Sequence, residues 1–199
     1  MVTVEMDAVR VERRLIGGRL ACPDCGGVLA GWGHGRERTL RGVNGPVRVR
    51  PRRSRCVGCH VTHVLLPIGM LVRRADLAVV IGAALAAKAA GVGYRSIAVE
   101  LGRPVDTVRG WLRRFAGRVE AVRSVFTVWL RVLVPDPVMP QPAGSVWADA
   151  MAAIVATARA AAARFVVPMV PVWEMAAAIS GGRLLSPGWP TVSINTGCP

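Results

Sequence analysis

Apolar residues recur along this chain with two different periods. Up to Pro67 they come in short runs: "VLAGW", "VRVRPRR" and "THVLLP" read as short strands. In "VRVR" the two-residue alternation puts Arg48 and Arg50 on one strand face. Beyond Pro67 the spacing becomes helical. "RRADLAVVIGAALAAKAAGVG" reads as a long helix ending near its glycines. Residues 94–115 then have the outline of a helix-turn-helix. Ile97, Ala98 and Leu101 give the first helix an apolar side, and the small Ala98 lets a second helix cross closely. Gly102 permits the tight turn, and the next helix starts around Pro104 to Asp106. Asp106 suits the positive end of that helix, whose Val108, Trp111 and Leu112 face inward.

The helical pattern continues through "EAVRSVFTVWLRVLV" and stops at "PDPVMPQPAG", a linker with four prolines. "SVWADAMAAIVATARAAAARFV" reads as one Ala-rich helix capped by Ser145, and "PMVPVWEMAAAISGGRLLS" as a second, shorter one. The expected fold class is α+β: a small β module, a mainly α-helical helix-turn-helix domain and an Ala-rich helical tail. The corresponding boundaries are an N-terminal segment at 1–18, the β module at 19–67, the helix-turn-helix domain at 68–134, the linker at 135–144, the Ala-rich region at 145–185 and a flexible C-terminus at 186–199.

Charge narrows the choice of partner. The chain has 26 Lys and Arg against 12 Asp and Glu, a net charge of +14, and a single lysine, Lys88. Residues 1–72 carry twelve basic and five acidic side chains, residues 73–131 eleven and four, and residues 132–199 three and three. The positive field therefore sits on the first two thirds, which favours a polyanion. Two Ala-rich stretches, 75–93 and 147–173, are apolar enough to raise a membrane reading. Lys88, and Asp149, Arg159 and Arg164, fall inside them and disfavour it. The opening "MVTVEMDAVRVERRL" has no secretory pattern, so a cytoplasmic, nucleoid-associated location is expected.

Four of the five cysteines form two C-x-x-C pairs, Cys22/Cys25 in "CPDCGG" and Cys56/Cys59 in "CVGCH". Each pair turns the chain and aims two thiolates at one point, and two pairs supply four soft ligands in the tetrahedral array that zinc prefers. A four-iron cluster accepts the same ligands. Two unrelated pairs of free thiols, or a redox C-x-x-C, explain the duplication less well, since no βαβ pattern surrounds either pair. Four thiolates saturate a tetrahedral site, which makes His60 and His63 secondary; His60, next to Cys59, is an alternative ligand only in a strained geometry and otherwise lies beside the metal or in solvent. His34 falls on an exposed loop, and Cys198 reads as an exposed free thiol near the terminus. A structural Zn²⁺ would also stand in for the apolar core that so small a module lacks.

On the helix-turn-helix, Val105, Asp106, Thr107 and Arg109 point outward where base edges would lie. Arg113, Arg114 and Arg95 are better placed for phosphates. On the β module, Arg48, Arg50, Arg52 and Arg53 make a stripe that could follow a phosphate backbone. Double-stranded DNA is thus the expected partner, with no small-molecule substrate. A homodimer is compatible with the paired half-sites that DNA readers often bind.

"SIAVELGRPVDTVRGWLRRF" resembles the helix-turn-helix of transposase-related and resolvase-related bacterial DNA-binding proteins. "CPDCGG" with "RVRPRRSRCVGCHVTHVLLP" resembles the amino-terminal zinc ribbon of insertion-sequence transposases. The combination resembles a family of uncharacterised actinobacterial proteins, a domain of unknown function. The resemblance covers about 19–118 and implies zinc at Cys22, Cys25, Cys56 and Cys59, with DNA contact by the helix near 105–114. The sequence departs from a complete transposase: Glu120, Asp136, Asp149 and Glu174 follow the helix-turn-helix without the strands that would converge them on metal ions. The expected function is therefore a non-catalytic, zinc-containing DNA-binding protein, either like the targeting domain of a transposase or a transcriptional regulator. The alternatives are a catalytic transposase component and a zinc-stabilised protein-interaction adaptor.

Overall fold

The structure is a computed structural model and describes residues 1–166 and 169–190. Two compact units divide the chain. One comprises residues 1–80 and 173–182, the other residues 81–172 and those from 183 on. The α+β class read from the sequence is the class observed.

The first unit is built on a four-stranded sheet in the order β1 (Val2–Val4), β6 (Thr62–Pro67), β5 (Arg52–Cys56), β2 (Leu29–His34). β1 runs parallel to β6, and the other neighbours are antiparallel. β3 (Arg38–Arg41) and β4 (Pro46–Val49) form a separate hairpin that buries Leu40 against Leu66 and Met70. "VRVRPRR" is thus two strands rather than one. Pro51 has no N–H to donate and falls between a strand that pairs with β3 and one that pairs with β2 and β6.

The residues read as a separate segment at 1–18 belong to this unit. Asp7 caps α1 (Ala8–Ile16) by accepting from the Val9 and Arg10 N–H groups at 2.9 and 3.2 Å. One turn apart, Val11 and Leu15 are buried in a core with Val4, Leu20, Cys22, Leu29, Cys56 and Leu65. Arg14–Glu5 at 2.7 Å and Arg52–Glu12 at 2.8 Å are ion pairs of the same unit. The chain returns to this unit late: Val72 N–H donates to the Gly182 carbonyl at 2.7 Å, and most of α7 (Val172–Ile179) lies here. The Ala-rich region expected at 145–185 is consequently split between the units.

α2 (Ala78–Ala89) starts in the first unit and runs into the second. The second unit contains α3 (Tyr94–Glu100), α4 (Val105–Ala116), α5 (Val119–Leu133) and α6 (Val146–Arg164). Ser145 Oγ caps α6 by accepting from Ala148 N–H at 3.1 Å. Ala150, Ala153, Ile154, Thr157, Ala158 and Ala161 give α6 a buried face of small residues, so α5 and α6 pack closely. The Thr157 hydroxyl lies 2.9 Å from the Phe126 carbonyl and 2.8 Å from that of Ala153. The Phe115 ring packs against Trp147 in a tilted arrangement, with centroids 5.0 Å apart and planes 43° from parallel. α6 is long and apolar enough to cross a membrane by length and composition, and among the described residues it is the one helix that is. Residues 186–190 are held rather than loose. Trp189 is buried, and the Arg118 guanidinium donates to the carbonyls of Ser186 and Trp189. The rest of the expected flexible terminus, with Cys198, lies outside the described residues.

Candidate metal centre and nucleic-acid interface

Cys22 and Cys25 precede β2, Cys56 ends β5 and Cys59 lies in the turn between β5 and β6. The register Leu29↔Cys56 across β2 and β5 brings the two turns together. Both turns have the same geometry. Gly26 N–H donates to the Cys22 carbonyl at 2.9 Å, and His60 N–H to the Cys56 carbonyl at 3.1 Å. The first cysteine of each pair then donates outward, Cys22 N–H to Gly27 at 2.7 Å and Cys56 N–H to Val61 at 2.9 Å. Each turn closes on a left-handed residue, Gly26 at φ 74° and His60 at φ 62°.

The four Sγ atoms lie within 4.8 Å of one another, with Cys25–Cys56 at 3.4 Å and Cys22–Cys59 at 3.7 Å. A tetrahedral Zn²⁺ with Zn–S bonds of about 2.3 Å needs sulfurs about 3.8 Å apart, so the donor set and its spacing fit. The thiols also share protons unequally. Cys59 N–H donating to Cys56 Sγ pulls the Cys56 thiol down to about 6, with the Cys25 sulfur acting in the same sense against desolvation. At Cys59 the Val61 N–H favours the thiolate, but the Cys25, Cys56 and Cys22 sulfurs and desolvation outweigh it and push the thiol up to about 12. Crowded thiols that cannot all ionise alone are what a cation would neutralise.

His60 is exposed and serves the turn through its backbone. Substituting glycine removes a left-handed non-glycine residue at a cost of order 1 kcal/mol. His60→Gly is expected to keep full metal content and to match or slightly exceed the wild type in thermal stability. A fall in metal content would make the imidazole a ligand.

His63 is the site residue that sequence reasoning undervalued. It is buried, with Nε2 3.4 Å from Cys22 Sγ and 3.8 Å from Asp24 Oδ2, and Nδ1 3.1 Å from the Met1 nitrogen. Its position fixes the orientation of the Cys22 sulfur. The alternation of "THVLLP" held the signal, because His63 shares a strand face with the fully buried Leu65. His34 is exposed as expected, at the end of β2.

The arginine stripe divides. Arg48 and Arg50 are exposed, with Val47 and Val49 less so, as the alternation requires. Arg53 is half-buried. Arg52 is turned inward: Nε and Nη2 reach both oxygens of Glu12 at 2.8 and 3.1 Å, and Nη1 donates to the Gly33 carbonyl at 2.6 Å. The Arg52 hydrogen bond holds the Glu12 carboxyl below its usual range. An arginine whose fork is filled by a carboxylate has little left for phosphate, so Arg52 is a tie within the fold rather than the phosphate contact expected.

In the second unit the turn between α3 and α4 is made by Gly102 at φ 59°, with Arg103 Nη1 donating to the Leu101 and Gly102 carbonyls at 3.0 and 3.3 Å. Pro104 precedes the first turn of α4 with an extended ψ. Val108, Trp111, Leu112 and Phe115 bury the inner face of α4 at i, i+3, i+4 and i+7. Ile97 and Ala98 do the same for α3. Opposite them, Val105, Asp106, Arg109, Arg113 and Arg114 are exposed and Thr107 half-buried. Arg114 Nη1 folds back to the Gly110 carbonyl at 3.0 Å. Arg95 is exposed at the start of α3, its guanidinium 5.7 Å over the Tyr94 ring.

Among the described residues, metal-ligating atoms cluster as Cys22, Cys25, Cys56 and Cys59, and as Cys22, Asp24 and His63. Neither cluster includes Glu120, Asp136, Asp149 or Glu174.

A family model described as a homeodomain-like domain matches residues 75–123, the stretch that holds α2, α3, α4 and the start of α5. Neither the curated proteins nor the solved structures contain a match to this chain. The chain therefore carries a helix-turn-helix domain of the DNA-binding class. With it goes a four-cysteine cluster geometrically compatible with a structural zinc site.

Proposed function

We propose that this protein is a zinc-stabilised, non-catalytic reader of double-stranded DNA, either a targeting module of the transposase type or a transcriptional regulator. The observation that carries this reading is the two-sided α4. Its apolar side is buried, and its outer side presents Arg109, Arg113 and Arg114 within a homeodomain-like segment. In this reading Val105, Asp106, Thr107 and Arg109 meet base edges. Arg95, Arg113 and Arg114 meet phosphates, helped by Arg48, Arg50 and Arg53 of the first unit. Cys22, Cys25, Cys56 and Cys59 hold one Zn²⁺, which fixes the N-terminal sheet and takes no part in chemistry. The units part within α2, at 80, rather than near 67, and in this reading the protein acts in the cytoplasm on the nucleoid. A homodimer would bring two α4 helices to paired half-sites. Exposed Val128, Trp129 and Val132 on α5 offer apolar surface for such pairing.

Selection of bound duplexes from a random pool tests the reading. A recurring motif several base pairs long is expected. Recovery of sequences no different from the input, by metal-loaded and folded protein, would reject it.

A further inference from the structure

The outer face of the N-terminal sheet carries a feature that duplex reading does not use. Across β2, β5 and β6 the register pairs Ala30 with Arg55, Arg55 with Thr62 and Arg53 with Val64. Beside them Trp32 is 49% exposed, an unusual position for so large an apolar ring. The Arg55 guanidinium carbon sits 4.9 Å from the Trp32 ring centroid. Arg55 is itself held in place, since its Nε donates to the His60 carbonyl at 3.2 Å. The left-handed turn that closes the second cysteine pair thus fixes the guanidinium that stacks on the indole. None of Ala30, Trp32, Arg53, Arg55, Thr62 and Val64 is acidic. The next segment adds exposed Arg36 and Arg38 around one acid, Glu37.

A preformed guanidinium–indole stack with flanking arginines has the two parts of a base-stacking platform, a π surface for bases and positive charge for phosphates. In a duplex the base faces are stacked on one another and closed to such a platform. In a single strand they are open. We propose that the outer face of β2 and β5 binds single-stranded DNA, with a base stacked on the Arg55–Trp32 pair and its neighbouring phosphates met by Arg36 and Arg38. The choice of DNA over RNA rests on the duplex-reading proposal for α4.

The test uses the full, metal-loaded chain and a twelve-residue thymidine oligonucleotide. The wild type is expected to bind it with an affinity that falls as salt rises. Trp32→Ala should weaken binding about 5- to 150-fold, the range for losing one stacked base. Trp32→Phe should retain most of the affinity and Arg55→Ala should lose several-fold, each with metal content unchanged. Arg109→Ala/Arg113→Ala should leave oligonucleotide binding within about twofold while weakening a duplex, which separates failure here from failure of the α4 reading. The inference is overturned if Trp32→Phe and Trp32→Ala both bind like the wild type. It is also overturned if the wild type does not bind the oligonucleotide, or binds a twelve-residue uridine RNA oligomer or a polyglutamate peptide more tightly than the DNA.

Discussion

Cys22→Ser is expected to yield a chain that holds no stoichiometric zinc and whose first unit no longer unfolds cooperatively. Cys22 and Cys56 are members of the buried cluster that also contains Leu29 and Leu65, so the ligand sulfurs are part of the core they brace. The rest of that core is small: Val4, Val11, Leu15 and Leu20 complete it. Structural zinc supplies on the order of 10 kcal/mol to modules of this kind, more than such a core yields alone. Serine removes one thiolate and leaves three in a site that needs four. The same loss should follow from a strong chelator, and from acid. In the metal-free cluster the Cys56 thiol sits near 6 while Cys59 is pushed up to about 12, so binding must displace a proton from Cys59, and metal affinity falls as pH drops and protons compete for the sulfurs. Metal analysis with circular dichroism across a thermal ramp checks the outcome. A Cys22→Ser chain that keeps one metal ion and a wild-type transition would remove zinc from the account of the fold.

The second large effect is expected on α4. Arg109→Ala should lower affinity for a selected duplex by about 1–3 kcal/mol and relax the preference at one position, the signature of a lost base contact. Arg113→Ala should weaken all duplexes alike and reduce the slope of log affinity against log salt by about one, the signature of a lost phosphate contact. Both side chains are exposed and fall outside the buried Val108, Trp111, Leu112 and Phe115 set, so the substitutions should leave the fold intact. Duplex titration by fluorescence anisotropy at several salt concentrations separates the two signatures. Unchanged binding in both variants would show that α4 is not the reading helix and would favour an adaptor.

What the sequence made legible is what depends on local spacing. The paired C-x-x-C turns, the Gly102 turn and the i, i+3, i+4, i+7 face of α4 are all set within a dozen residues. What it hid depends on distant partners. β1 pairs in parallel with a strand more than sixty residues away, so nothing near Val2–Val4 marks it as part of the sheet. The Arg52–Glu12 pair joins residues forty apart, and without it Arg52 is indistinguishable in sequence from the exposed Arg50. Trp32 reads as a plain strand residue, because the Arg55 guanidinium 4.9 Å over its ring comes from another strand. α7 reads as a continuation of the Ala-rich helices because alanine packs as well against one neighbour as another, and only the contacts of residues 173–182, such as Val72 N–H donating to the Gly182 carbonyl, assign it to the first unit.

Metal content and duplex affinity against salt, measured on a single preparation, test whether one chain joins a zinc-braced sheet to a duplex-reading helix-turn-helix. One zinc per chain is expected, with an affinity for duplex DNA that falls steeply as salt rises and a slope reporting several phosphate contacts. A folded, zinc-loaded chain whose duplex binding is absent or indifferent to salt would contradict that expectation.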